Sequence, residues 1–342
     1  MKNLGGIIIA KKENNIMYFL FVFLLLLIII SFAIGRYPIY PKELFEFVRS
    51  FFNSNSENIS TEIITIITKI RAPRIIAAVF VGGALSIAGS NYQALFQNPM
   101  VSPDILGASQ GAGFGAALGL FLTLGYTATS FLAFSMGIIA VTITYFVSLK
   151  FKIDRILGLV LSGMTIGSIF SALISFIKLI ADTDNTLPSI TYWLMGSLAS
   201  ARIGDLKLII PPITIGIVIS MILKWKMNLL TMGEEEALTM GVNVKIVRLL
   251  IVVSTTLMTS ACVSITGMIG WVGLIIPHFS RILVGNDYRF VVPTSGLVGA
   301  IFLLIIDNIA RTVATSEIPI GILTSFIGAP LFLYLIFKKG YD

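Results

Sequence analysis

The chain has one cysteine, Cys262, and one histidine, His278, among 342 residues. A single thiol excludes an intrachain disulfide and a cysteine metal cluster, and Cys262 lies in an apolar run where packing is its ordinary role. One imidazole cannot build a usual zinc site, so His278 reads as structural. No Gly-Lys dipeptide occurs, which leaves no P-loop and requires any ATP hydrolysis to come from another chain. Charge is scarce: 12% of residues are charged, 56% are hydrophobic, and the mean hydropathy is +0.95. A chain of this composition takes the lipid bilayer as its solvent. Nothing in it calls for a cofactor, a bound metal or a nucleic-acid partner.

What is abundant is long apolar runs. Crossing the hydrocarbon takes about 20 apolar residues as a helix, whereas a barrel would show short alternating segments. Runs at 17–35, 72–89, 105–124, 128–149, 156–180, 206–223, 246–265, 268–284, 291–310 and 320–337 predict an all-α polytopic membrane protein of about ten transmembrane helices. The first run is too long for a secretion signal and has no clear small-residue cleavage site, so it reads as a retained span. If Lys2, Lys11 and Lys12 are cytoplasmic, an even span count also places Lys150, Lys152, Arg155, Lys224, Lys226, Lys245, Arg248, Lys338 and Lys339 inside, in accord with the positive-inside rule. Both termini are then cytoplasmic. Arg71, Arg74 and Arg311 fall on the opposite face.

Arg71 and Arg74 bracket Pro73 where an apolar helix begins. An Arg at a bilayer centre costs about 2.5–3.5 kcal/mol, which predicts boundary positions for both. Spaced by three, they share a helix face and repel, an arrangement suited to an anionic partner. Gly111, Gly115 and Gly119 form a doubled GxxxG stripe that lets another helix approach closely. Asn98-Pro99 and Ser102-Pro103 break the chain after the second span, and Pro277 is expected to interrupt the eighth. Residues 82–99 and 263–277 share a glycine-spaced apolar run closing on proline. Each is followed by a related tripeptide or tetrapeptide, ILG at 105–107 and ILVG at 282–285. That echo predicts inverted halves, 63–180 and 244–338, with a pathway at their interface.

Between the sixth and seventh spans, within a cytoplasmic loop at 227–243, Gly233-Glu234-Glu235-Glu236-Ala237-Leu238-Thr239-Met240-Gly241 reads as a short helix. Acids sit at its positive end, a glycine stops it, and Ala237, Leu238 and Met240 are apolar contacts for another protein's groove.

The motifs RAPR (71–74), GGALSIAG (82–89), QALFQNP (93–99), PDILGASQGA (103–112), YWLMGS (192–197), GMIGWVGLIIPHFSR (267–281), DNIAR (307–311) and PIGILTSFIGAP (319–330) together resemble the FecCD-type permeases. These are the membrane subunits of type II ABC importers for iron-siderophores, haem and vitamin B12. The resemblance runs over about 63–337 and implies a single permease domain. It also implies a prokaryotic inner-membrane location, a homodimer, two ATP-binding cassette subunits and an extracytoplasmic substrate-binding protein. It assigns Arg71, Arg74 and Arg311 to docking of the binding protein, and Glu234 to Gly241 to the helix that enters the ATPase cleft. It places the cytoplasmic gate near Ile156 and Leu157, where this chain is bulky and apolar. An ion-coupled secondary carrier remains the alternative, although Asp307 is the only acid well inside the predicted spans.

Overall fold

The computed structural model describes residues 2–50, 60–151 and 155–339. Lys152 lies outside the described residues, as do the side chains of Lys2, Lys11, Lys338 and Lys339. The α-helices of the described chain are α1 (Lys2–Ala33), α2 (Pro41–Ser50), α3 (Thr61–Thr65), α4 (Ala72–Leu95), α5 (Ala108–Phe121), α6 (Tyr126–Ser148), α7 (Arg155–Ile180), α8 (Thr186–Leu194), α9 (Ile203–Leu230), α10 (Glu234–Thr239), α11 (Val244–Thr266), α12 (Val272–Val284), α13 (Tyr288–Ala310) and α14 (Ile320–Lys339). Each of the ten apolar runs contains a helix, although the runs at 105–124 and 268–284 are helical only in part. Seven helical segments are long and apolar enough to cross a bilayer.

Two of the ten are short. At 14 and 13 residues, α5 and α12 reach only about 20 Å, against a hydrocarbon core of about 30 Å. Irregular backbone completes the distance. A 3-10 turn, Pro103–Leu106, precedes α5, and residues 267–271 precede α12. Such backbone is tolerated at membrane depth only where protein encloses it. Gly107, at φ 86° between the 3-10 turn and α5, is a position where a side chain would be strained.

The second span begins earlier than the sequence suggests. Helix runs without a gap from Thr61 to Leu95, and residues Ile66–Arg71 form a π-helical turn. Pro73 has no N–H to offer the carbonyl one turn back, and a widened turn just before it absorbs the mismatch.

At the centre of the bundle, α4 packs against α13, α11, α12 and α9. Small residues allow this. A Cβ on Gly82 would lie 2.3 Å from the Gly299 carbonyl oxygen, and one on Gly89 would lie 1.7 Å from that of Gly273. Polar side chains on this buried helix are bonded across the packing faces. Asn91 donates to Ser220 Oγ at 2.8 Å, and Gln93 donates to the Leu274 carbonyl at 3.1 Å. In an apolar interior an unmade hydrogen bond would be expensive.

Pro277 does not interrupt the eighth span: it sits inside α12. The carbonyl it leaves without an intrahelical donor, that of Gly273, is the one that faces Gly89. The real break, 267–271, lies at the other end of α11. The unit from α4 to α5 breaks beside α9's last turn, where Gln97 donates to the Leu230 carbonyl at 2.7 Å. The unit from α11 to α12 breaks beside α8, where Ser197 N donates to the Thr266 carbonyl at 2.7 Å. The two units therefore run in opposite directions.

Candidate docking, coupling and translocation sites

One end of the bundle gathers the C-termini of α1 and α13, the π-turn and the loop after α13. Three arginines converge there, and none is free at the surface: Arg71, Arg74 and Arg311 are 3%, 5% and 6% exposed. Arg71 donates to the Phe32 and Tyr37 carbonyls. Gly35 makes room, since a Cβ there would lie 2.5 Å from the guanidinium. Arg74 Nε is 2.6 Å from Asp307 Oδ1, and its Nη1 lies 2.9 and 2.8 Å from the two Glu317 oxygens. Arg311 donates to Asn308 and, at 2.9 Å, to the Ser31 carbonyl. Its Nε lies 3.6 Å from Asp307 Oδ2, an ion pair too long to be a hydrogen bond. Burial pushes the Arg311 guanidinium down to about 10 while Asp307 opposes that shift, so it stays charged at neutral pH.

This corrects the expectation of two like charges projecting outward and repelling. Asp307 and Glu317 reach Arg74 and Arg311 from α13 and the loop after it, and Arg71 is held by backbone carbonyls. Exposed cations on the neighbouring segments include Arg36, Lys42, Arg49 and Lys69.

At the opposite end, α10 is six residues long. Gly241 adopts φ 80°. Its N–H bonds the Leu238 carbonyl at 2.9 Å, while Val242 N bonds the Ala237 carbonyl at 3.0 Å. That pair of bonds is a Schellman stop. Glu234 forms an ion pair with the buried Arg248 of α11, which fixes α10 to the bundle. Glu235 and Glu236 are exposed. Ala237 is fully buried and so is not an outward contact, contrary to the sequence reading. Leu238 and Met240 are 57% and 58% exposed. They form an apolar knob on a surface facing away from the bundle.

Along α7, residues 157, 161, 164, 168, 171 and 175 repeat at helical spacing and are all exposed. Leu157, Leu161 and Met164 occupy the α10 end of this stripe, and Ser168, Ser171 and Ser175 continue it. Ile156 is half-buried beside Leu157 at the start of the helix. Met164, Ser168 and Ser171 line a cavity of about 580 Å³ with Asp104 and Gln110. The 3-10 turn approaches α7 closely because a Cβ on Gly163 would lie 2.2 Å from the Ile105 carbonyl oxygen. Ser109 donates to Asp104. Gln110 Oε1 is buried without a protein donor. The Ser168/Ser171/Ser175 spacing is a signal in the sequence that could have located this polar face.

Gly111, Gly115 and Gly119 line the contact of α5 with α6. Cβ atoms there would lie 2.5 Å from Ala140 Cβ, 2.5 Å from the Leu132 carbonyl oxygen and 2.9 Å from Thr129 Oγ1, respectively.

The FecCD transport family model matches residues 23–338. The chain belongs to the FecCD transport family. The permease is 38% identical to the molybdate import system permease of Haemophilus influenzae over 94% of this chain and 95% of that one. It is also 38% identical to the cobalamin import system permease of Halobacterium salinarum, over 79% of this chain and 73% of that one. A solved structure described as an inward-facing conformation of a metal-chelate type ABC transporter superposes with a TM-score of 0.85. That match has 36% identity and covers 95% of this chain and 99% of the other. The protein is thus a multi-pass prokaryotic membrane protein, the permease subunit of an ABC importer, whose family works with ATPase and binding-protein partners. An ion-coupled carrier is excluded by the same findings.

Proposed function

We propose that two copies of this chain form the pathway of a binding-protein-dependent importer for metal in complexed form, with the α10 end and both termini in the cytoplasm. The observation that carries the reading is α10: capped by Gly241, fixed through Glu234 to Arg248, and presenting Leu238 and Met240 outward. An exposed apolar knob on a rigid short helix fits a groove on a separate ATPase. The substrate is taken as a chelate or oxyanion because the relatives import molybdate and cobalamin.

The α7 stripe is the wall of the pathway in this reading. Its serine-lined part and the Asp104–Gln110 cavity receive the substrate, and Ile156 and Leu157 narrow the cytoplasmic end. The opposite end docks the binding protein. There the buried arginines act by holding Arg36, Lys42 and Lys69 in place rather than by direct contact. The second copy packs on α14 and α8, where Phe326 is 74% exposed.

The test is reconstitution with the ATPase subunit and the binding protein. The permease alone shows no nucleotide hydrolysis, and the complex hydrolyses ATP in a binding-protein-stimulated manner. Leu238→Asp places an unpaired charge in the docking groove and releases the ATPase. Unchanged co-purification and transport in that variant would overturn the assignment of α10.

A further inference from the structure

Away from the α7 face, α6 and α11 lie antiparallel and leave an apolar groove of about 440 Å³ between them. Its walls include Ile138, Val141, Tyr145 and Phe146 from α6 and Leu249 and Val253 from α11. Both helices are membrane spans, and Phe146, Leu249 and Val253 are 63%, 41% and 39% exposed. The groove therefore opens onto hydrocarbon. It descends from Phe146 to Ile138, about 12 Å at 1.5 Å per residue.

The mouth is charged. Lys150 lies in the turn that follows α6, four residues beyond Phe146, and Lys245 lies one helical turn before Leu249, so both stand at the end of the groove where α6 finishes and α11 begins. Both are exposed, and among the described residues neither has a carboxylate within 4.0 Å. The Tyr145 and Phe146 rings, 6.3 Å apart edge to face, occupy the same level, where aromatic residues favour the interface between chain and headgroup. Two lysines with no ion pair among the described residues, above an apolar channel, are complementary to one molecule, an acidic head joined to a hydrocarbon tail.

We propose that this groove is a binding site for an anionic phospholipid, with one acyl chain between α6 and α11 and the phosphate on Lys150 and Lys245. The site is separate from the pathway. It joins the α6 end to the start of α11, the helix that carries α10's anchor Arg248, so an occupied groove braces the coupling end.

The experiment uses the purified permease in nanodiscs of equal phosphatidylglycerol and phosphatidylcholine, followed by native mass spectrometry of the lipid retained after gentle extraction. Each basic residue near an anionic surface contributes roughly a five-fold preference. The wild type should therefore retain phosphatidylglycerol over phosphatidylcholine by well over ten-fold. The preference should shrink as salt is raised. Lys150→Glu with Lys245→Glu should abolish it. Val253→Trp, which fills the groove and keeps both lysines, should lose the retained lipid. Equal retention of the two lipids by the wild type would overturn the proposal, and that measurement needs no variant to fold. Loss in the charge variant with full retention in Val253→Trp would mean that only the headgroup is held, which also overturns the groove. Exclusion of all lipid because a second copy covers Val253, seen as a Val253→Cys disulfide between copies, would overturn it as well.

Discussion

Arg74 shows how a charge is made tolerable at a membrane boundary. It spends both faces of its guanidinium on Asp307 and Glu317, and Asp307 is fully buried. Replacing Arg74 by Ala leaves the buried Asp307 carboxylate with only the longer pair to Arg311 and removes the partner of Glu317, which should cost up to the about 3–5 kcal/mol of a broken buried pair. Asp307→Asn should cost less, because Arg74 keeps Glu317. Thermal unfolding of the detergent-purified protein checks the order; a melting temperature for Arg74→Ala equal to the wild type would refute the internal pairing. Gly89 is the corresponding case for shape. A methyl group there meets the Gly273 carbonyl oxygen at 1.7 Å, backbone against backbone, and neither side can rotate away. Gly89→Ala is expected to cost more than the about 1–3 kcal/mol of ordinary overpacking, read as loss of monodisperse protein. Gly204 has nothing within 4 Å of its would-be Cβ and lies in a helix, so Gly204→Ala should instead gain about 0.5–1 kcal/mol.

Among the elements, α10 is too short to be stable by itself, since nucleating a helix is unfavourable and six residues recover few bonds. Its ends do the stabilising. Gly241 has open space around it but a backbone at φ 80°, so Gly241→Ala acts through backbone strain alone, about 1–2 kcal/mol. In the assembled transporter that variant should lower binding-protein-stimulated ATPase while leaving nucleotide binding to the ATPase subunit unchanged. Equal stimulation in wild type and variant would show that α10's geometry does not transmit the cycle. Ala237 belongs to the folded core and Leu238 to the surface, although they are adjacent. Charges placed at these two positions should therefore separate folding from coupling.

For the whole molecule, sidedness is the property that most needs a direct measurement, and the composition provides the means. The lone thiol, Cys262, is fully buried, so the native chain is a quiet background for labelling. Met240→Cys should react with an impermeant maleimide only in inside-out vesicles, and Lys69→Cys only in right-side-out ones; the reverse pattern would invert the proposed orientation. The sequence by itself determined the class, the ten helical runs and the family, because hydrophobic length and motif order are one-dimensional quantities. The short helix 234–239 was legible for the same reason, its caps being local. What only the tertiary structure decided was the company each polar group keeps. Arg71 and Arg74 look alike in sequence, yet they end on carbonyls from α1 and the segment after it and on carboxylates from α13 and the loop after it, and no local pattern states which distant acid arrives. The shortness of α5 and α12 was equally invisible, because a broken span keeps its apolar composition. Its irregular backbone is permitted only by the helices that enclose it, and that enclosure exists only once the chain has folded.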